Sequence, residues 1–169
     1  MMHSIIRKRN KMRYCWLLIC ALVCACATDH TELSQSPVDA TAMYDLGMWY
    51  SAGDESMAIP PDHEKALYWL QKAAGEGSLS AMHALGWAYY SGRGVSKDMQ
   101  FSASHFRNAA DRGYAESQYM LGLLYAQGWG VEKDSSLSLQ WVKRAAEQGH
   151  PASQKLLGNL FSGAGQSVE

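Results

Sequence analysis

The residues best able to do chemistry are few, and their spacing argues against most of it. Four cysteines occur, Cys15, Cys20, Cys24 and Cys26, all near the N-terminus. The 143 residues that follow contain none, which excludes a disulfide framework and a cysteine nucleophile there. His63-Glu64 opens like the His-Glu-x-x-His zinc helix, but Leu67 stands where the second histidine is required. Gly92-x-Gly94 and Gly128-x-Gly130 have the spacing of neither a dinucleotide fingerprint nor a Walker loop. No Ser-x-x-Lys occurs. The expectation is a non-enzymatic chain with no metal and no cofactor.

The elements that carry these residues repeat. Leu-Gly recurs at Leu46-Gly47, Leu85-Gly86, Leu121-Gly122 and Leu157-Gly158, at spacings of 39, 36 and 36. An aromatic follows each glycine by three positions: Tyr50, Tyr89, Tyr125 and Phe161. Gly92-Arg93-Gly94-Val95 matches Gly128-Trp129-Gly130-Val131, and a loop three residues longer in the first copy accounts for the 39. In the second half of each period, Asp62, Asp98 and Asp134 fall in register, then Trp69, His105 and Trp141, then an Ala-Ala pair, then Gly77, Gly113 and Gly149. Fixed-period self-similarity of this kind marks a stacked-repeat architecture.

Ala42, Leu46 and Tyr50 recur every four residues, one face of a helix. The glycine beside the leucine leaves room for a close helix crossing. Gly92 and Gly128 suit the left-handed cap of a helix C-terminus. The aspartates suit the N-cap of the second helix. Pro60-Pro61 block any continuation between the two helices of the first repeat. His105, where the other copies have tryptophan, is expected to be a packed helix residue.

These residues resemble the Sel1-like repeat, a relative of the tetratricopeptide repeat; the stretch AESQYMLGLLYAQGWGVEKD…WVKRAAEQGH is closest to that pattern. The resemblance covers 38–162 and implies an all-α fold: a right-handed α-solenoid of antiparallel helix pairs. Three repeats (40–78, 79–114, 115–150) precede a capping helix (151–162) and a flexible tail (163–169). The resemblance also implies a scaffold or adaptor role, with the first helix of each repeat lining a concave groove. Tyr44, Met48 and Ser51, then His83, Trp87 and Tyr90, then Tyr119, Leu123 and Ala126 share the face opposite the Ala-Leu-Tyr stripe. Tyr44, Met48, His83, Trp87, Tyr90, Tyr119 and Leu123 are therefore the candidate groove residues for an unidentified protein or peptide. Trp87 and Tyr90 are its candidate anchors. The competing reading is that these rings pack against the neighbouring repeat. Trp129, in the middle of a turn, is either a contact residue or folded back over Val131.

The front of the chain reads as an address. Residues 1–25 carry five basic and no acidic residues; after the last of these, Arg13, comes the apolar run Tyr14–Ala27, too short to span a bilayer. This is the pattern of a signal peptide. Val23-Cys24-Ala25-Cys26 resembles a bacterial lipobox, with Cys26 as the lipid-attachment residue and 26–37 as a polar tether. That makes the membrane a partner through an N-terminal lipid, at the outer membrane facing the periplasm. Cleavage after Ala27, giving a soluble periplasmic or secreted protein, stays open. The whole chain has a net charge of −1; without the five basic leader residues, 10 basic residues face 16 acidic ones. That balance disfavours nucleic acid. The alternatives from other classes are an envelope enzyme or cell-wall-fragment binder, and a secreted effector acting through protein binding.

Overall fold

A computed structural model describes residues 39–164 apart from 55, 56 and 58, with side chains as far as 160. The expected signal peptide, the tether with Cys26, and residues 165–169 lie outside the described residues. Seven helices follow in order among the described residues: α1 (Ala40–Ala52), α2 (His63–Gly75), α3 (Leu79–Ser91), α4 (Met99–Asp111), α5 (Ala115–Gln127), α6 (Ser135–Glu147) and α7 (Pro151–Ala164). The β structure among them is one bridge, Asp54 to Ile59, which ties off the longer loop of the first repeat. Extensive packing runs between helices adjacent in sequence, α1 on α2, α2 on α3 and onward to α7. The architecture is the expected all-α solenoid of three helix pairs and a seventh helix.

The ends of the helices follow from their residues. Asp62, Asp98 and Asp134 cap α2, α4 and α6, each carboxylate accepting from backbone N–H groups of the first turn. The backbone N–H of the same three aspartates donates to the carbonyls of Tyr50, Tyr89 and Tyr125, over 2.8, 3.0 and 3.0 Å. One residue thus ends one helix and starts the next. Gly92 and Gly128 close α3 and α5 in the left-handed conformation, at φ 75° and 77°. Helix α7 runs to Ala164, two residues past the expected limit of the cap. No proline stops it there, and alanine is a strong helix former.

The Leu-Gly pair sets how closely the helices of a pair approach. A Cβ on Gly47 would lie 2.8 Å from Leu70, one on Gly86 2.7 Å from Phe106, and one on Gly122 2.7 Å from Val142. Each glycine is a notch on the first helix that receives an apolar side chain of the second. A Cβ on Gly158 would meet nothing within 4 Å. The core is built around these crossings. Leu85, Phe106, Leu121 and Leu124 are fully buried, with Ala73, Ala109 and Ala145 beneath them. Burial of one such large side chain contributes roughly 1.5–3 kcal/mol. The few polar groups inside are satisfied. Ser102 Oγ donates to the Gly86 carbonyl, and Gln118 Nε2 to that of Ala110. Val95 and Val131 pack back onto the core beside the glycine turns.

Candidate functional site

Helices α1 and α3 present their second faces to one open hollow of about 410 Å³. From α1 it takes Tyr44, Met48 and Ser51; from α3, His83, Ala84, Trp87, Ala88 and Ser91. The buried side chains of Ala66, Leu67 and Leu70 on α2 also line it, together with His63 and the turn residue Arg93. Met48 and Trp87 are each 41% exposed. Five of the seven sequence-derived groove residues divide between this hollow and its borders: Tyr44, Met48, His83 and Trp87 line it, and Tyr90 packs edge-on against Trp87 at 5.2 Å between ring centres.

The other two fall in the next interval, where packing prevails. Tyr90, Tyr119 and Leu123 are partly buried and lie against the core of Ala103, Phe106, Met120 and Leu124. The Tyr119 ring also contacts the His150 imidazole at 4.9 Å. Trp129 is tilted over Tyr90, with ring centres 6.0 Å apart. The two halves of the expected stripe therefore differ in degree: Tyr44 packs on the first core while Met48 and Trp87 stay exposed, whereas Tyr119 and Leu123 are partly buried and the exposed ring nearby is Trp129.

His83 organises the more open half. Its Nε2 accepts the indole N–H of Trp87 at 3.0 Å, and its Nδ1 lies 2.8 Å from the hydroxyl of Ser117 on α5. Because Nε2 must offer a lone pair to the indole, Nδ1 carries the proton and donates it to Ser117. Burial pushes the imidazole pKa down to about 4; Glu116 opposes that shift and His150 adds to it. The ring is therefore neutral at pH 7. This His–Ser contact is the wrong way round for nucleophilic catalysis, since the nitrogen facing the serine already bears a proton. Ser117 is also fully buried. The contact is a strut that fixes Trp87.

His105 has a simpler place. Its ring stacks on Tyr89 at 5.4 Å, and burial lowers its pKa. Phe101 stacks on the same tyrosine. No cluster of three metal-ligating side chains occurs among the described residues. Sequence reasoning did not find Arg93 and His63 as lining residues. The available signal was the register that sets Arg93 against Trp129 in the repeated turn.

Antiparallel helix pairs, glycine notches at the crossings within pairs and side-chain-lined intervals between pairs define a helical-repeat solenoid. The Sel1 repeat pattern matches residues 40–78, 79–114 and 115–150, and the chain belongs to the Sel1 repeat family. It is similar to a Sel1 repeat protein from Oxalobacter formigenes, at 39% identity and TM-score 0.64, over 72% of this chain and 89% of that one. It is also similar to a protective antigen of uropathogenic Escherichia coli with an SLR fold, at 36% identity and TM-score 0.68. That match covers 74% of this chain and 26% of the antigen, so this chain spans about a quarter of the antigen's length. Cysteine rich protein B of Helicobacter pylori shares the fold at 19% identity, with TM-score 0.57 over 69% of this chain and 92% of that one. Sel1 repeats generally mediate protein–protein interaction, and the family is mainly a non-catalytic scaffold.

Proposed function

We propose that this chain is a non-enzymatic adaptor or scaffold that holds a peptide or protein segment on the face shared by α1 and α3. It works at a bacterial cell envelope, carried on the periplasmic side of the outer membrane by lipid on Cys26. The observation that carries the binding reading is the fixed, exposed indole of Trp87 beside Met48, over a hollow with an apolar floor. A rigid aromatic that is already held in place loses little freedom on binding. The envelope assignment rests on the N-terminal pattern of basic residues, short apolar run and cysteine.

A photo-crosslinking residue at Met48, used in the native host, tests the binding face. The expected result is capture of a defined protein that Trp87→Ala loses, while a crosslinker at Phe101 on α4 captures nothing comparable. Equal capture from both positions overturns the groove assignment. The intact mass of protein purified from membranes tests the anchor. A chain beginning at Cys26 with added acyl mass is expected, and a chain beginning at Thr28 without it overturns lipidation.

A further inference from the structure

Among the register positions at which the two intervals of the solenoid differ, the middle of the glycine turn differs in charge. In the second interval that position is Trp129, whose indole lies over Tyr90. In the first it is Arg93, on the rim of the open hollow. Arg93 is the one Lys, Arg, Asp or Glu side chain that lines the hollow, and it is exposed. No ion pair engages it among the described residues. The remaining lining is dominated by apolar and aromatic groups, with Leu67 beneath and Tyr44, Met48 and Trp87 around it. The His83 nitrogens are already committed to Trp87 and Ser117, so that ring offers a ligand no free donor. Asp45, next to Tyr44 in sequence, is exposed and does not line the hollow.

A small apolar chamber with one uncommitted guanidinium at its edge selects for charge as well as shape. The volume, about 410 Å³, falls in the range of small-molecule sites, on the order of 300–1,000 Å³. We propose that the hollow between the first two repeats binds an amphiphilic anion: a compact aromatic or branched apolar group bearing a carboxylate. The apolar part lies against Trp87, Tyr44 and Met48, and the carboxylate pairs with the Arg93 guanidinium, whose planar fork matches it. The ligand takes the hollow, with Trp87 and Met48, that the protein-binding reading uses, so the inference rests on that reading and adds the chemistry the site selects; loss of crosslinking at Met48 and loss of 2-naphthoate binding are separate outcomes.

The test uses the full chain and two probes of one shape, 2-naphthoate and the neutral 2-naphthamide. Binding is followed by NMR at the indole N–H of Trp87, assigned with Trp87→Phe. The expected result is saturable binding of 2-naphthoate about tenfold tighter than the amide, the order expected of one charge-assisted contact. Arg93→Gln is expected to erase that preference, and Arg93→Lys to keep part of it. Arg93 sits exposed in a turn, so both variants keep the fold. Equal affinity for the two probes, no movement of the Trp87 signal, or a preference that survives Arg93→Gln overturns the proposal.

Discussion

The indole N–H of Trp87 donates to Nε2 of His83 across one turn of α3, at 3.0 Å, and the other nitrogen of the same ring meets Ser117 on α5. One imidazole thus links the exposed aromatic of the second repeat to the buried framework of the third. The link requires a neutral ring, because a protonated Nε2 cannot accept.

That requirement predicts acid sensitivity with a definite sign. The folded pKa of His83, about 4, lies below its ordinary value of 6.5. The unfolded chain therefore binds more protons than the folded one between those values, and stability falls as pH falls through that window. The contribution is fully present above pH 6.5 and is lost towards pH 4, at most about 3 kcal/mol. His105, also shifted down by burial, acts in the same direction. Urea melts at pH 7 and pH 4.5 check this; His83→Gln is expected to flatten the dependence. Trp87 fluorescence of the folded protein is expected to shift to the red as pH falls through about 4, where the folded ring takes up its proton.

The glycine notches predict opposite effects of one substitution. Gly86→Ala places a methyl 2.7 Å from the Phe106 ring, and overpacking there is expected to cost about 1–3 kcal/mol. Gly158→Ala meets nothing within 4 Å, so only the gain in helix propensity remains, roughly 0.5–1 kcal/mol of stabilisation. Denaturation midpoints of the two variants decide the matter.

The aspartate caps predict a smaller loss. Asp98 accepts from the N–H groups of Gln100 and Phe101 at 2.9 and 3.0 Å. Asp98→Ala is expected to cost about 1 kcal/mol. Asp98→Asn is expected to recover most of it in the same chemical melts.

Phe106 predicts the largest single effect. It is fully buried, fills the Gly86 notch and contacts both His83 and Trp87 edge-on or at a tilt. Phe106→Ala is expected to destabilise by about 3–5 kcal/mol and to broaden the Trp87 indole resonance.

Much of this fold was legible because a period repeats its own evidence. Leu-Gly, the αL glycines and the capping aspartates each recur at fixed spacing, and each has a local physical reason to be where it is. The groove was legible only in part. A helical stripe says that Trp87, Tyr90, Tyr119 and Leu123 share a face; it does not say which neighbour covers that face. Turns also contribute to these surfaces and lie outside the helical period: Trp129 contacts Tyr90, and Arg93 lines the hollow of the first interval. His83 was legible as a face residue, but its bond to Ser117 was not, because the partners lie 34 residues apart.

The extensive contacts of the solenoid join helices that are neighbours in sequence. Few long loops have to close before those contacts form, so the contact order is low and folding is expected to be fast. A perturbation spreads from one pair to the next and fades with distance. Among the described helices, α7 is the one whose Leu-Gly notch receives no side chain, and its local opening is expected to be easy.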